Sequence, residues 1–368
     1  MLLTRGGLPN ELLIELIELT PRADQATLCR TSKYIQAITL PILNRTVVLG
    51  ESTSVDAFSQ SIINDPGRAS ATRALIILHR LNYAKSTYDS LLKALELLKF
   101  IDYFSLQVTS GTYCYETFLH RLDRLTFPLL VKCYISIPSH KIRVQNVTQF
   151  LSRNPTITHL RLWPVQGPYA VSDSDWTAPM LPNLQHYRGT SALLPAFSTR
   201  NLRTVVASLD PTDYGALRSL ANPELPFAIS IDTCNPIRRP AETLQRALRL
   251  LPQHMPFVTQ LRIRCWDQGN RMNPNVIHDI ASRLPLLTRL EHFELNFAYG
   301  YATRHVDRFV IDAESDRQAL QTLADACPTL KACLLVDQSW KKVHGIWDEY
   351  PTTEFQKEFG FSVLDFMD

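Results

Sequence analysis

Pro155-Thr156-Ile157-Thr158-His159-Leu160-Arg161-Leu162 places apolar residues two, five and seven positions after a proline. Leu160 and Leu162 alternate with polar neighbours, which suits a strand with one buried face. A helix tends to stop before a proline, because the preceding residue is pushed out of the helical region. The stretch therefore reads as helix end, proline, short strand. The same register recurs at Pro128 (Leu130, Cys133), Pro182 (Leu184, Tyr187), Pro256 (Val258, Leu261), Pro285 (Leu287, Leu290) and Pro328 (Leu330, Cys333). Pro128, Pro155 and Pro182 are evenly spaced, and the interval from Pro256 to Pro285 is nearly the same.

Apolar residues at helical spacing precede most of these prolines: Val147, Phe150 and Leu151; Leu244, Leu248 and Leu251; Val276, Ile277, Ile280 and Leu284; Leu320, Leu323 and Cys327. Strands without the proline fill the gaps at Val47–Leu49, Ala74–Leu78, Phe104–Val108, Leu202–Val206 and Phe227–Ile231. Strand centres are then expected near 48, 76, 105, 133, 160, 187, 205, 229, 261, 293 and 334. The early steps of about 27–29 residues lie at the upper end of the range for leucine-rich repeats. The expected fold class is α/β, a βα solenoid over 46–340, with 341–368 capping its open end. The repeat spacing is irregular between about 190 and 240, where the sequence leaves the number of repeats open.

Residues 1–45 read differently. Pro9 suits a first helical turn and Pro21 ends the run. On a helical wheel Leu12, Leu13, Leu16, Ile17 and Leu19 span roughly 160°. Ile14 flanks them, and Glu11, Glu15 and Glu18 face away. A second helix is expected over 24–38 with Asp24 as its N-cap, followed by a turn at Leu40-Pro41-Ile42-Leu43. So wide an apolar arc on a short helix either caps a larger core or docks another protein.

This N-terminal segment resembles an F-box. The matching residues are Leu8-Pro9-x-Glu11-Leu12 with Ile14 and Ile17, Asp24–Leu28, Cys29–Ile35 and Pro41–Arg45. Gln25 stands where an apolar residue is usual. The repeats resemble the irregular leucine-rich repeats found behind F-boxes, especially in fungal proteins, through Ile157-x-x-Leu160-x-Leu162, Val258-x-x-Leu261-x-Ile263 and Leu290-x-x-Phe293-x-Leu295. The Asn or Cys that ordinarily follows that core is missing. The resemblance implies the substrate-recognition subunit of an SCF-type cullin–RING ubiquitin ligase. A Skp-type adaptor would bind through Leu8, Pro9, Leu12, Ile14, Ile17, Leu28 and Pro41, and the repeats would hold a protein substrate. The alternative is a non-ligase protein-binding scaffold whose N-terminal helices merely cap the solenoid.

Composition is consistent with a binding protein and points away from several other classes. Of 368 residues 45% are hydrophobic, enough for a large core, and Lys plus Arg at 38 against Asp plus Glu at 35 leaves a net charge of +3. That balance makes no electrostatic case for nucleic acid or a membrane surface. Seven cysteines, an odd number with no C-x-x-C pair, suggest a reducing compartment. With Met1–Gly7 too short and polar for a signal peptide and no apolar run of membrane-spanning length, the expected location is cytoplasmic or nuclear.

No Walker loop, G-x-S-x-G elbow, G-x-G-x-x-G or H-E-x-x-H occurs. No enzymatic activity, metal or cofactor is therefore expected. Asp173-Ser174-Asp175 lacks calcium-loop spacing, and Arg262, Arg264 and Arg271 read as a solvated basic face. Trp163, Trp266, Phe297, Tyr299, Tyr301 and Trp340 fall just past repeat strands. They either roof the core or line one rim. Trp163, Trp266, Tyr299 and Tyr301 are the candidate substrate contacts, since aromatic residues are favoured anchors at interfaces.

Overall fold

The computed structural model describes residues 8–79, 84–108, 118, 120–137, 144–164, 180–208, 213–232, 240–265, 274–297, 313–335 and 338–359. The chain is mixed α/β and falls into two compact units, residues 1–157 with 165–167, and residues 158–164 with 168–368. The boundary at 157/158 is one that hydrophobic patterning did not suggest.

The first unit opens with three helices, α1 (Asn10–Leu19), α2 (Arg22–Leu28) and α3 (Lys33–Leu43). The single helix expected over 24–38 is broken in two. Ser32 adopts extended backbone and its hydroxyl accepts from the Ile35 N–H, capping α3. Pro21, not Asp24, is the residue that starts α2. The turn expected at 40–43 is the last turn of α3, with Pro41 inside the helix. The strands β1 (Thr46–Leu49), β2 (Ala74–His79), β3 (Tyr103–Val108) and β4 (Lys132–Ile137) follow, parallel and in sequence order. Between them lie α4 (Ser52–Asn64), α5 (Pro66–Ala71) and α6 (Lys85–Leu97), and α7 (Val144–Arg153) follows β4. Val47, Leu75, Phe104 and Cys133 share one register row and point into the core. The intervals between them are nearly equal, as a stack of similar repeats requires.

The second unit continues the pattern with β5 (His159–Pro164), β6 (His186–Thr190), β7 (Thr204–Ser208), β8 (Ala228–Asp232), β9 (Gln260–Cys265), β10 (His292–Phe297) and β11 (Ala332–Leu335), again parallel and in sequence order. The helices are α8 (Asp213–Leu220), α9 (Pro240–His254), α10 (Pro274–Arg283) and α11 (Ala313–Ala326). Leu160, Tyr187, Val205, Ile229, Leu261, Phe293 and Cys333 form the inward row, all buried. All eleven expected strands are present.

The irregular stretch has a simple cause. Tyr187 to Val205 is the shortest step of the inward row. A 3-10 turn at Ser191–Ala196 replaces the α-helix there. Gly189 sits in the same crowded region. A Cβ there would lie 2.7 Å from the Leu162 carbonyl oxygen and 2.6 Å from the Tyr187 hydroxyl. Only glycine, which has no Cβ, lets the strands approach so closely.

The recurring proline has a structural role beyond stopping a helix. In all six cases the N–H two residues after proline donates to the carbonyl just before it. The pairs are Leu130 to Phe127, Ile157 to Asn154, Leu184 to Leu181, Val258 to Met255, Leu287 to Leu284 and Leu330 to Cys327. This is a four-residue turn with proline at its second position, where its fixed φ is preorganised. The turn delivers the chain into the strand at the same height in each repeat. Hydroxyls and an amide staple neighbouring repeats: Thr156 Oγ1 donates to the Leu130 carbonyl, Thr329 Oγ1 to Leu290, and Asn154 Oδ1 accepts from the Phe127 N–H.

The capping segment begins at 338, slightly before the expected boundary at 341. It is an antiparallel hairpin, β12 (Gln338–Val343) and β13 (Ile346–Tyr350), paired onto β11, followed by α12 (Thr352–Glu358). Trp340 pairs with Cys333 and is buried, so it roofs the core. Burial pushes the Cys133 and Cys333 thiols well above their ordinary range, because it disfavours the charged thiolate. Among the described residues no helix is long and apolar enough to cross a membrane, and no group of three or more His, Cys, Asp or Glu could hold a metal ion.

Candidate functional site

Two surfaces stand out, one in each unit. The first is the exposed side of α1. Its apolar arc is split by packing. Ile17 is turned inward and is 1% exposed, and Leu13 is half-buried. Leu12, Leu16 and Leu19 face solvent at 47%, 52% and 79% exposure. Their i, i+4 and i+7 spacing makes them neighbours on one helix face. Leu8 and Ile14 are also exposed. Pro9 and Pro41 are exposed and Leu28 is half-buried. Ile17 therefore cannot belong to an exposed contact set with Leu12. Its Cβ direction, about 140° around the helix from that of Leu12, sends it to the core.

Polar links at the helix ends hold this small unit. Gln25 is buried, and its amide donates to the Ile17 carbonyl at 2.8 Å and to the Thr20 carbonyl at 3.1 Å. They lie at the end of α1, where a helix leaves carbonyls without an intrahelical donor; the Ile17 carbonyl also accepts from the Thr20 N–H and hydroxyl. The residue that departs from the F-box pattern is thus a C-terminal cap for α1. Arg22 Nη2 donates to the Leu43 carbonyl, Tyr34 to Asn10, and Arg45 pairs with Glu18 at 3.1 Å. The Arg45 carbonyl accepts from the Arg73 and Ala74 N–H groups, which ties the end of the helical segment to β2.

The second surface is the outward face of the strands in the second unit. The residue between the two inward positions of each strand points out: Arg161, Arg188, Val206, Ser230, Arg262, Glu294 and Leu334, aligned by register. All seven are buried. At its far end the cause is visible. Phe355 of α12 packs on the outward residues Ala332 and Leu334. Gln356, next in the chain, lies over the neighbouring strands. Its Nε2 donates to Glu294 Oε1 at 3.4 Å and its Oε1 accepts from Arg262 Nη2 at 3.4 Å.

Beneath it Arg262 Nε donates to Glu294 Oε2 at 2.6 Å, an ion pair with side chains 2% and 4% exposed. The solvated basic face expected around Arg262 is instead a buried ionic network. At the other end of the face His159 and His186 stack with centroids 4.3 Å apart. His159 Nδ1 meets Thr158 Oγ1 and His186 Nδ1 meets Thr204 Oγ1.

His292, on the same outward face, is packed by the Phe359 ring at 4.5 Å. Burial holds its pKa down to about 4, because desolvation disfavours the imidazolium. Around it, Lys341 donates to both Glu358 oxygens and the Tyr350 hydroxyl to Oε2. These hydrogen bonds hold the Glu358 carboxyl below its usual range and the Lys341 ammonium above its own, since each favours the charged form.

Of the candidate substrate contacts, Trp163 lies in β5 with its side chain outside what is described, and Trp266, Tyr299 and Tyr301 lie outside the described residues. The outward Arg161, Arg188, Arg262 and Glu294 carried a signal in the sequence. Each sits one position after an inward strand residue, so charged side chains recur at one repeat offset. No family model matches the chain, and no curated protein is significantly similar to it.

Proposed function

We propose that this protein is a substrate-recognition subunit of an SCF-type ubiquitin ligase, in which residues 8–45 form an F-box-like unit and the βα repeats a leucine-rich-repeat-like solenoid. The observation that carries the reading is the exposed Leu12, Leu16 and Leu19 stripe, with Leu8 beside it. A helix that served only as a cap would bury that stripe, so the scaffold alternative leaves it unexplained. The Skp-type adaptor would cover it. The refined contact set adds Leu16 and Leu19 to Leu8, Pro9, Leu12 and Pro41, with Leu28 at its edge; Ile14 is exposed on another side of the helix, and Ile17 supports the set from beneath. A cytoplasmic or nuclear location follows from that role.

The repeats would hold a protein substrate. The outward strand residues are buried from β5 to β11, so the proposed substrate contacts stay with the aromatic residues that follow the inward positions of the strands, Trp163, Trp266, Tyr299 and Tyr301. The chain would act by tethering, which raises the effective concentration of substrate near the conjugating enzyme.

Co-expression with a Skp-type adaptor tests the reading. Wild type should recover the adaptor in a pull-down, and Leu12→Asp should lose it while keeping its circular-dichroism spectrum. A folded wild-type protein that recovers no adaptor would overturn the proposal.

A further inference from the structure

We infer that the cleft between α9 and α10, on the helical side of the second unit, binds a dianionic phosphate monoester group. The inference does not rest on the adaptor reading. The cleft has a volume of about 390 Å³. Arg246 and Arg249 of α9 line one wall and Arg283 of α10 the other. Arg246 and Arg249 stand at i and i+3 on one helix, where like charges repel. Among the described residues none of the three guanidiniums has an ion-pair partner.

The single carboxylate in the cleft, Asp279, is already engaged. Gln245 Nε2 donates to its Oδ2 at 2.8 Å and so bridges the two helices. Ser282 is engaged too, donating to the Asp279 carbonyl at 2.8 Å. The buried Leu248 supplies an apolar floor.

Three guanidiniums against one carboxylate leave a surplus of two positive charges. A phosphate monoester carries about −1.5 to −2 charges at neutral pH and three acceptor oxygens. Guanidinium forks match such oxygens in bidentate geometry, which an ammonium does not. Arg283 has a second role, since it lies in the last turn of α10, where a cation complements the helix dipole. Arg246 and Arg249 have no such structural role. The cleft is much larger than one phosphate group, so it has room for whatever carries the ester. A phosphorylated peptide segment and a small phosphate ester share this chemistry.

Calorimetric titration of the full-length protein decides. N-acetyl-phosphoserine amide should bind wild type. Arg249→Gln, and separately the pair Arg246→Gln with Arg283→Gln, should weaken it about tenfold or more by removing charge-assisted hydrogen bonds. Arg218→Gln, an exposed arginine of α8 outside the cleft, should leave it unchanged. Unaltered melting temperatures will show that the variants are folded. A short peptide containing the phosphoserine should bind more tightly than the amide if the ligand is a phosphorylated segment, and equally if it is a small ester. The proposal is overturned by no binding at millimolar phosphoserine amide, by undiminished affinity in the double variant, or by equal affinity for N-acetyl-aspartate amide. Binding of a DNA duplex without binding of the amide would also overturn it.

Discussion

Residues 8–45 and the strands of the second unit solve the same problem, burying apolar surface, with very different success. The three N-terminal helices bury one apolar side chain completely, Ile17, and with it the polar Gln25 and Thr39. In the second unit every residue of the main inward row is buried, and so are outward residues that include arginines and a glutamate. A short helix presents few inward positions per turn, while each added parallel strand extends a row that already exists. The helical segment is therefore held largely by hydrogen bonds at helix ends and keeps a free apolar stripe. The strands are held by continuous packing and can tolerate an ion pair inside it. The contrast teaches that the exposed leucines of α1 are what an incomplete local core leaves over, available to a partner.

The largest expected effect tests the buried side of that contrast. Glu294→Ala removes the buried carboxylate to which Arg262 Nε donates. Removing one partner of a buried pair costs about 3–5 kcal/mol, read as a lower urea midpoint. Replacing both, Arg262→Met with Glu294→Leu, should recover most of the loss. A cost within surface values would show that the outward row is solvated.

His292 comes next. Its native pKa of about 4 lies below the ordinary histidine value of 6.5. The unfolded chain takes up that proton more readily than the native one. Stability is therefore full above about pH 6.5 and falls as the pH drops through about 4, by on the order of 2–3 kcal/mol. His292→Asn should flatten that part of the pH–stability curve. An unchanged slope would remove His292 as its cause.

In the helical segment the effects shrink. Gln25→Leu removes the amide that donates to the Ile17 and Thr20 carbonyls, of which Ile17 keeps the Thr20 N–H and hydroxyl as donors, and should cost about 1 kcal/mol despite adding an apolar residue. A gain in stability would mean that Gln25 is not a cap. Smallest of all, Leu12→Asp should change stability by no more than about 0.5 kcal/mol, as measured by its urea midpoint, so that a lost pull-down would report an interface and not unfolding.

Much of this was legible in the chain. The proline register located six strand starts, and apolar alternation located the rest, because a strand's side-chain period of two is imposed by its own backbone. The helices before Pro155, Pro256, Pro285 and Pro328 were legible through their own period of about 3.6 residues. The break at Ser32 was not, since the apolar spacing of Leu28, Ile35 and Ile38 fits one helix as well as two and only the capping bond to Ile35 separates them. The fate of Arg262 was hidden as well. Alternating arginine and apolar residues describe a solvated face until another element covers it, and α12 arrives from far along the chain to place Gln356 there.

The sequence by itself therefore determined the repeating unit, its strands and the amphipathic character of α1, because these depend on local backbone periodicity. Only the tertiary structure decided which half of the α1 arc is buried, that Gln25 serves as a cap, that Arg262 and Glu294 form a buried pair, and that three arginines converge between α9 and α10. Each of those depends on contacts between residues on different elements, and burial and charge pairing are set by what a side chain meets across space.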